Sequence, residues 1–390
     1  VFVNGLDRVK IYDKTANTFK DATGTPSSGN TLARTVLMWQ GRIFLGHTIE
    51  GGTLFPQRIR WCAVGDLTNW ATGGAGFIDL WDRADAIISL GTLAQYLQVY
   101  KDFQIVRGSY VGAAGRLVLY ESMIDNEGPV GIHALSAELD KVVFLSTTDL
   151  YEYRGFNDLK SVGEKIAASL VSTIGELDPA NVNHAFTVGS TDLNTVFFFF
   201  PNVVDENPPA AYLLLRTNNA WFRRDFTHHF TCGGTYKQTT QLTWDVAPGN
   251  WEDYTQPWDS RAFTALSEVI LLAGDNSQMY EIDFVAVNDA GTGIPAKFAT
   301  KDLLLPGSEV RVSKLEFVYS GPNLTVEYSL DGGLNYHPYG GTVSGRAILG
   351  SVVAHEDVQG ERIRFRFSTV SGAFAFGQLL VTYQPAQPHL

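Results

Sequence analysis

The sequence predicts an all-β protein: a β-propeller with one inserted amphipathic helix, followed by a small antiparallel β-sandwich. Three observations predict it. Short apolar runs, rich in β-branched and aromatic residues, are each followed by turn residues and a return run. The later runs start near residues 42, 97, 142, 195 and 269, a spacing of about 45 to 75, close to the blade period of about 40 to 50 residues. From about residue 296 a strict two-residue alternation takes over. The expected domains are therefore a propeller over 1–295, with an insertion at about 233–262, and a sandwich over 296–390. A stack of sandwich domains is the alternative arrangement of the same strands.

The elements follow in order. Val9 to Tyr12 turns through Lys14–Asn17 to Phe19, and Arg42–Leu45 is answered by Arg58–Trp61 after a glycine-rich loop. Leu97–Tyr100 turns at Lys101-Asp102 into Phe103–Val106, and Val142–Leu145 turns into Leu150–Tyr153. Thr195–Phe200 pairs with Ala211–Leu215, and Val269–Leu272 turns through Gly274-Asp275-Asn276 into Met279–Ile282. One stretch breaks the β rule. Ser161-Val162-Gly163-Glu164 reads as a capping box, and Val162, Ile166, Leu170 and Ile174 then recur every four residues up to Gly175. That spacing predicts a helix of about three turns. In the sandwich, Leu324, Val326, Tyr328 and Leu330 alternate with polar residues, as do Ile363, Phe365 and Phe367 with Arg362, Arg364 and Arg366. Each such strand should bury one face and wet the other.

Composition narrows the function classes. Only 18% of the 390 residues are charged, 45% are hydrophobic and 38 are glycine, which excludes disorder, collagen and coiled coil. Lys plus Arg 29 against Asp plus Glu 41 leaves a net charge of −12, so the surface as a whole does not grip nucleic-acid phosphates. No apolar run reaches the roughly 18 to 20 residues that span a bilayer; Val196–Phe200 stops at Pro201. A chain numbered from Val1 is expected to have further N-terminal residues, and no signal peptide is evident in what is present.

Motifs for chemistry are scarce. Cys62 and Cys232 make neither a disulfide framework nor a metal pair, and the eight histidines form no HExxH or HxxxH. No GxxxxGK loop and no GxSxG elbow is present, and Gly291-Thr292-Gly293 reads as a turn. Paired carboxylates at glycosidase spacing are invisible in sequence. No catalytic residue, cofactor or metal is assigned. Asn323-Leu324-Thr325 is formally a glycosylation sequon at the start of a strand. Ser329 to Tyr336 resembles the Asp box of sialidase-type propellers, a structural turn in which Asp331 bonds its own backbone and Tyr336 packs on the hairpin. Two features remain as interface candidates. Trp244, Trp251 and Trp258, each followed by an acidic residue, recur every seven positions where Pro248, Gly249 and Pro257 forbid a helix; they either cover the ring or anchor a neighbouring subunit. Arg362, Arg364 and Arg366 line one face of a strand, either as a solvated stripe or as a dock for an acidic neighbour copy.

Several stretches resemble one family. Arg58 to Trp70 is similar to the "RIRWSD-GDPTDW" strand and turn of tailed-phage tail proteins, with Cys62 and Ala63 in place of Ser-Asp and no proline in its Gly-Asp-Leu-Thr-Asn-Trp turn. Asn126–Gly131, the hairpin Val142–Tyr153, Ser161–Lys165 and Leu177-Asp178-Pro179 follow in that family's order, and the Trp-acidic segment resembles its repeated tryptophan loop. The likeness covers about residues 40 to 285 and points to the podophage tail-hub or nozzle group, which includes packaged-DNA stabilisation proteins. It implies a non-enzymatic virion component, a β-propeller assembled as a ring of about six copies. Such a ring sits below the head-to-tail adaptor, lines the DNA exit channel and carries fibres or spikes. In that role DNA is expected to pass through without specific binding, and no membrane anchor is expected. The alternatives are a propeller glycan-binding protein or glycoside hydrolase of sialidase-like architecture, and a fibre or baseplate subunit elsewhere on the virion.

Overall fold

In the computed structural model the described residues are 1–22, 24–26, 30–113, 116–138, 140–171, 175–237, 268–282, 288–289, 291–304, 309–370, 372 and 374–386. The chain divides into two compact units, Val1–Ile282 and Asp283–Leu390, against an expected boundary at 295/296. Antiparallel β-sheet dominates both, as the sequence predicts.

The first unit opens with the hairpin β1 (Lys10–Asp13) and β2 (Thr18–Asp21), turned by Asn17 at positive φ. Four consecutive meanders follow, each a four-stranded antiparallel sheet in chain order. They are β3–β6 (Thr31–Trp39, Arg42–Glu50, Thr53–Trp61, Gly76–Asp79) and β7–β10 (Ile87–Leu93, Tyr96–Lys101, Gln104–Ala113, Arg116–Asp125). Next come β11–β14 (Leu135–Ala137, Val142–Leu145, Leu150–Tyr153, Leu159–Ser161) and β15–β18 (Phe186–Ser190, Thr195–Phe200, Ala210–Leu215, Ala220–Asp225). A sheet of three strands among the described residues, β19–β21 (Phe230–Lys237, Glu268–Gly274, Met279–Glu281), ends the unit. The first strand of each sheet lies beside the first strand of the next, in the order β3, β7, β11, β15, β19.

Five apolar seams explain why the strand sequences look as they do. Alternate residues of one strand feed the seams on its two faces. Phe197 and Phe199 pack with Phe230, Ile270 and Leu272 on one side, while Val196, Phe198 and Phe200 pack with Val143, Leu145 and Leu150 on the other. Phe44, Ile59 and Trp61 meet Leu90, Leu97 and Val99 across the first pair of sheets, and Tyr100 and Ile105 meet Phe144 and Tyr153 across the second. Val9 and Ala22 cover Ile43 and Leu45 at the start of the series. A strand buried on both faces reads as an unbroken apolar run, which is why Val196–Phe200 carries no polar residue. Polar links cross the same seams. Trp39 Nε1 donates to the Gln95 carbonyl at 3.1 Å, Trp221 Nε1 to the Val162 carbonyl at 3.0 Å, and Ser190 Oγ to Glu268 Oε2 at 2.7 Å.

The expected three-turn helix is corrected. Among the described residues there is one α-helical turn, α1 (Ala167–Leu170), capped at Ile166 without a side-chain bond. Ser161 is the last residue of β14, and its hydroxyl donates to the Asp149 carboxylate, so no capping box forms. The four-residue apolar spacing has another cause: Val162, Ile166 and Leu170 all pack into the seam between β11–β14 and β15–β18. Ile174 lies outside the described residues.

The second unit starts with the small hairpin β22 (Asn288–Asp289) and β23 (Thr292–Gly293); of the expected turn Gly291-Thr292-Gly293, only Gly291, at φ 91°, is in the turn, and Thr292-Gly293 form the return strand. Two sheets then enclose one core. One contains β24 (Ala296–Ala299), β30 (Arg362–Thr369), β27 (Leu324–Ser329) and β28 (His337–Val343) in that order, with β25 (Leu303–Leu304) also on β30. The other is β29 (Arg346–Gly360), β26 (Glu309–Gly321) and β31 (Ala375–Ala386), with β26 central. Val310, Val312, Leu315, Phe317 and Tyr319 of β26 meet Ile363, Phe365, Phe367 and Val326 in that core. The alternation fails only at Leu330, which lies past the end of β27 and is exposed, while Ser329 is fully buried beneath the following turn.

Candidate functional site

The structure brings together two sequence features of the second unit, the arginine stripe and the Asp331 turn. The two-residue period of β30 sends Ile363, Phe365 and Phe367 into the core and Arg362, Arg364 and Arg366 to the opposite face. Register then decides their partners. β27 runs antiparallel to β30 with Glu327 opposite Arg366, and Arg366 Nε donates to Glu327 Oε2 at 2.7 Å. Arg364 Nε donates to Oδ1 of Asp302 at 2.7 Å, and Arg362 Nη1 lies 4.0 Å from Oδ2 of the same carboxylate. The Arg366 guanidinium also sits 3.7 Å from the Tyr336 ring centroid, a cation–π contact. Hydrogen bonds to Asp302 and to Glu327 raise the pKa values of Arg364 and Arg366 respectively. The stripe is thus a ladder of three cations against two carboxylates. Arg362, 52% exposed, is its loosest member; the other two are 31% exposed.

The turn from Ser329 to Tyr336 lies over this ladder. Asp331 Oδ1 accepts from Ser329 Oγ at 2.7 Å, from the Leu334 amide at 3.0 Å and from the Asn335 amide at 2.9 Å. Its Oδ2 accepts from Asn335 Nδ2 at 2.6 Å. These bonds, led by the Asn335 amide, hold the Asp331 carboxyl far below the usual carboxylate range. Gly333 has φ 100°, a backbone conformation that favours glycine, and a Cβ there would lie 2.8 Å from the movable tip of the Arg364 side chain. A carboxylate so fully engaged holds a turn and is a poor proton carrier.

A second arginine pair, which the sequence reading assigned to a family motif and to no site, lies in the first unit. Arg58 and Arg60 alternate with Ile59 and Trp61 on β5. Arg58 forms a two-point pair with Asp79 at 2.8 Å and 2.8 Å and reaches Glu50 at 3.3 Å; Arg60 forms a two-point pair with Glu50 at 2.8 Å and 2.8 Å. Phe55 and Phe77 flank the Arg58 guanidinium at 3.6 Å and 4.2 Å. The signal was available: the Arg-Ile-Arg alternation is the one that singled out the later stripe.

The remaining motif residues serve the chain itself. Arg42 Nη1 donates to the carbonyls of Cys62 and Gly74, and Trp61 Nε1 also reaches the Gly74 carbonyl. Asp66 accepts from the amide and hydroxyl of Thr68, and Trp70 is buried with its Nε1 on the Leu67 carbonyl. Glu127 accepts from Ser146, Thr148 and Tyr151, tying the Asn126–Gly131 link to the β12–β13 hairpin. A Cβ on Gly128 would fall 2.1 Å from the Lys101 carbonyl oxygen. Trp244, Trp251 and Trp258 lie outside the described residues. Among the described residues no group of three or more His, Cys, Asp or Glu is placed to hold a metal ion, and no helix is long and apolar enough to cross a membrane.

No protein-family model and no curated protein matches the chain. Solved structures give distant likenesses. An exo-β-1,3-galactanase from Phanerochaete chrysosporium, in complex with β-1,3-galactotriose, is 10% identical over 98% of this chain and 100% of its own, with a TM-score of 0.29. The core factor of S. cerevisiae is 11% identical over 85% of this chain and 54% of its own, with a TM-score of 0.33. Likenesses this weak carry no functional argument.

Proposed function

We propose that the chain is a non-enzymatic structural subunit of a tailed-bacteriophage tail, a hub or nozzle protein whose first unit is a β-propeller and whose copies form a ring around exiting DNA. The observation that carries this reading is where the family-like stretches fall in the fold. Arg58–Trp70, Asn126–Gly131 and Val142–Tyr153 form connections and hairpins of consecutive sheets, and their charged and aromatic groups are used within the chain. The propeller reading is supported by five antiparallel sheets in series, with first strands side by side and an apolar seam between each consecutive pair. The inserted helix then reduces to the α1 turn in one seam.

The mechanism is geometric and electrostatic. Stiff sheets give a rigid wall, and a chain of net charge −12 gives six copies 6 × −12 = −72 formal charges. Carboxylates on the lumen repel a polyanion and let it slide, whereas each Lys or Arg contact would add a salt-dependent grip. The head-to-tail adaptor and fibres or spikes are the partners this role requires. No observation favours the glycan-acting alternative, since the Asp331 turn is engaged with its own backbone. Gold-labelled antibody against this chain on intact particles is the test. Label at the tail is the expected result; particles that lack the chain, or cleavage of a fluorogenic glycoside panel by the purified protein, would overturn it.

A further inference from the structure

We infer that β31 is a docking strand for a second copy of this chain, the two β31 strands pairing antiparallel about a two-fold axis and joining two second-unit sheets edge to edge. The order β29-β26-β31 puts β31 at the sheet margin, and among the described residues it pairs with β26 alone. Among the described residues no backbone group bonds its other row of N–H and C=O groups. A free edge of 12 residues, Ala375–Ala386, is long, and proteins usually blunt such edges with charge. Here the reverse holds: from Phe367 to Pro388 there is no Asp, Glu, Lys, Arg or His. Pro385 limits the available row to the residues before it.

The core is also unfinished on this side. The inward residues Val310, Val312, Leu315, Phe317 and Tyr319 of central β26 are fully buried, and Val352, Ala354 and Val358 of β29 are nearly so. Those of β31 are not: Phe376, Leu379 and Val381 are partly buried, and Tyr383, which pairs with Val312, is half exposed. Leu380 on the outer face is half exposed too.

Charge selects the occupant. The other margin, β29, carries Arg346, His355, Glu356 and Asp357, and β28 covers part of it, with the Gly340 amide donating to the Glu356 carboxylate. Setting that strand on β31 would desolvate its charges against a strand with none to answer them. A second β31 brings none. Matching inward to inward sides fixes the register. A two-fold at Val381 sets Leu379 opposite Tyr383 of the second copy and Leu380 opposite Thr382 of the second copy, which completes both cores. This inference does not depend on the tail reading.

Sedimentation velocity on the full chain tests it. The expected result is that L380K/T382K, which sets ammonium groups opposite each other across the axis, halves the mass of the assembly, and that L380E/T382E does the same. Mixing the two variants restores the wild-type mass, because each ammonium then faces a carboxylate. Unchanged far-UV circular dichroism shows that both variants fold. A monomeric wild type, an assembly indifferent to both variants, or a mixture that stays at half mass would each overturn the proposal.

Discussion

β5 and β30 are written in the same alphabet and end in different surroundings. Arg58-Ile59-Arg60-Trp61 and Arg362-Ile363-Arg364-Phe365 both alternate guanidinium with apolar groups, and both find carboxylates within their own unit. On β5 two arginines meet Glu50 and Asp79 and are 10% and 11% exposed. On β30 three arginines share Asp302 and Glu327 at the margin of solvent. An arginine stripe therefore does not by itself mark a binding surface. The count of carboxylates that register brings opposite it decides whether the stripe is closed or has a cation to spare, and on β30 that cation is Arg362.

Three substitutions sharpen the contrast. Glu50→Gln removes the charge that Arg58 and Arg60 share and leaves one acceptor oxygen in place of two in a buried setting, so a loss of about 3–5 kcal/mol of unfolding free energy is expected in urea titrations. A loss within the range of exposed pairs would erase the distinction between the two strands. Glu327→Gln removes the one carboxylate on Arg366, but at the margin of solvent the loss should be about 0.5–1 kcal/mol, falling with added salt.

Asp331→Asn has the smallest expected effect and the clearest pH signature. Bonds from the Asn335 amide, the Ser329 hydroxyl and the Asn335 side chain depress the folded-state pKa. The contribution of the charge is then fully present above the unfolded carboxyl pKa of about 3.9 and is lost as pH falls through the lower folded value. Thermal midpoints of wild type and D331N should differ by a constant amount near neutrality and converge only below about pH 4. A difference that stays constant down to about pH 2 would mean the carboxyl is not held low.

Much of the strand pattern was legible because turn chemistry and apolar runs are local. Lys101-Asp102, Ser146–Asp149 and Asn218-Asn219 each mark the hairpin that forms. The helix misread shows the limit of periodicity: Val162, Ile166 and Leu170 repeat every four residues because three points of a winding segment fill one seam. The partners of the arginine ladder were not legible at all. Asp302 lies 62 positions from Arg364 and Glu327 lies 39 from Arg366, distances over which only strand register relates one residue to another. The Ser329–Tyr336 turn is structural, as its Asp-Gly-Gly chemistry predicts, yet its seat on the ladder depends on the same register.

Electron cryomicroscopy of the intact assembly tests the central claim most directly. It should resolve a closed ring of this chain whose bore is lined with Asp and Glu side chains, with the arginines of β5 and β30 turned to their own carboxylates. A bore studded with Lys and Arg, or a lone subunit holding a ligand in a cleft, would contradict it.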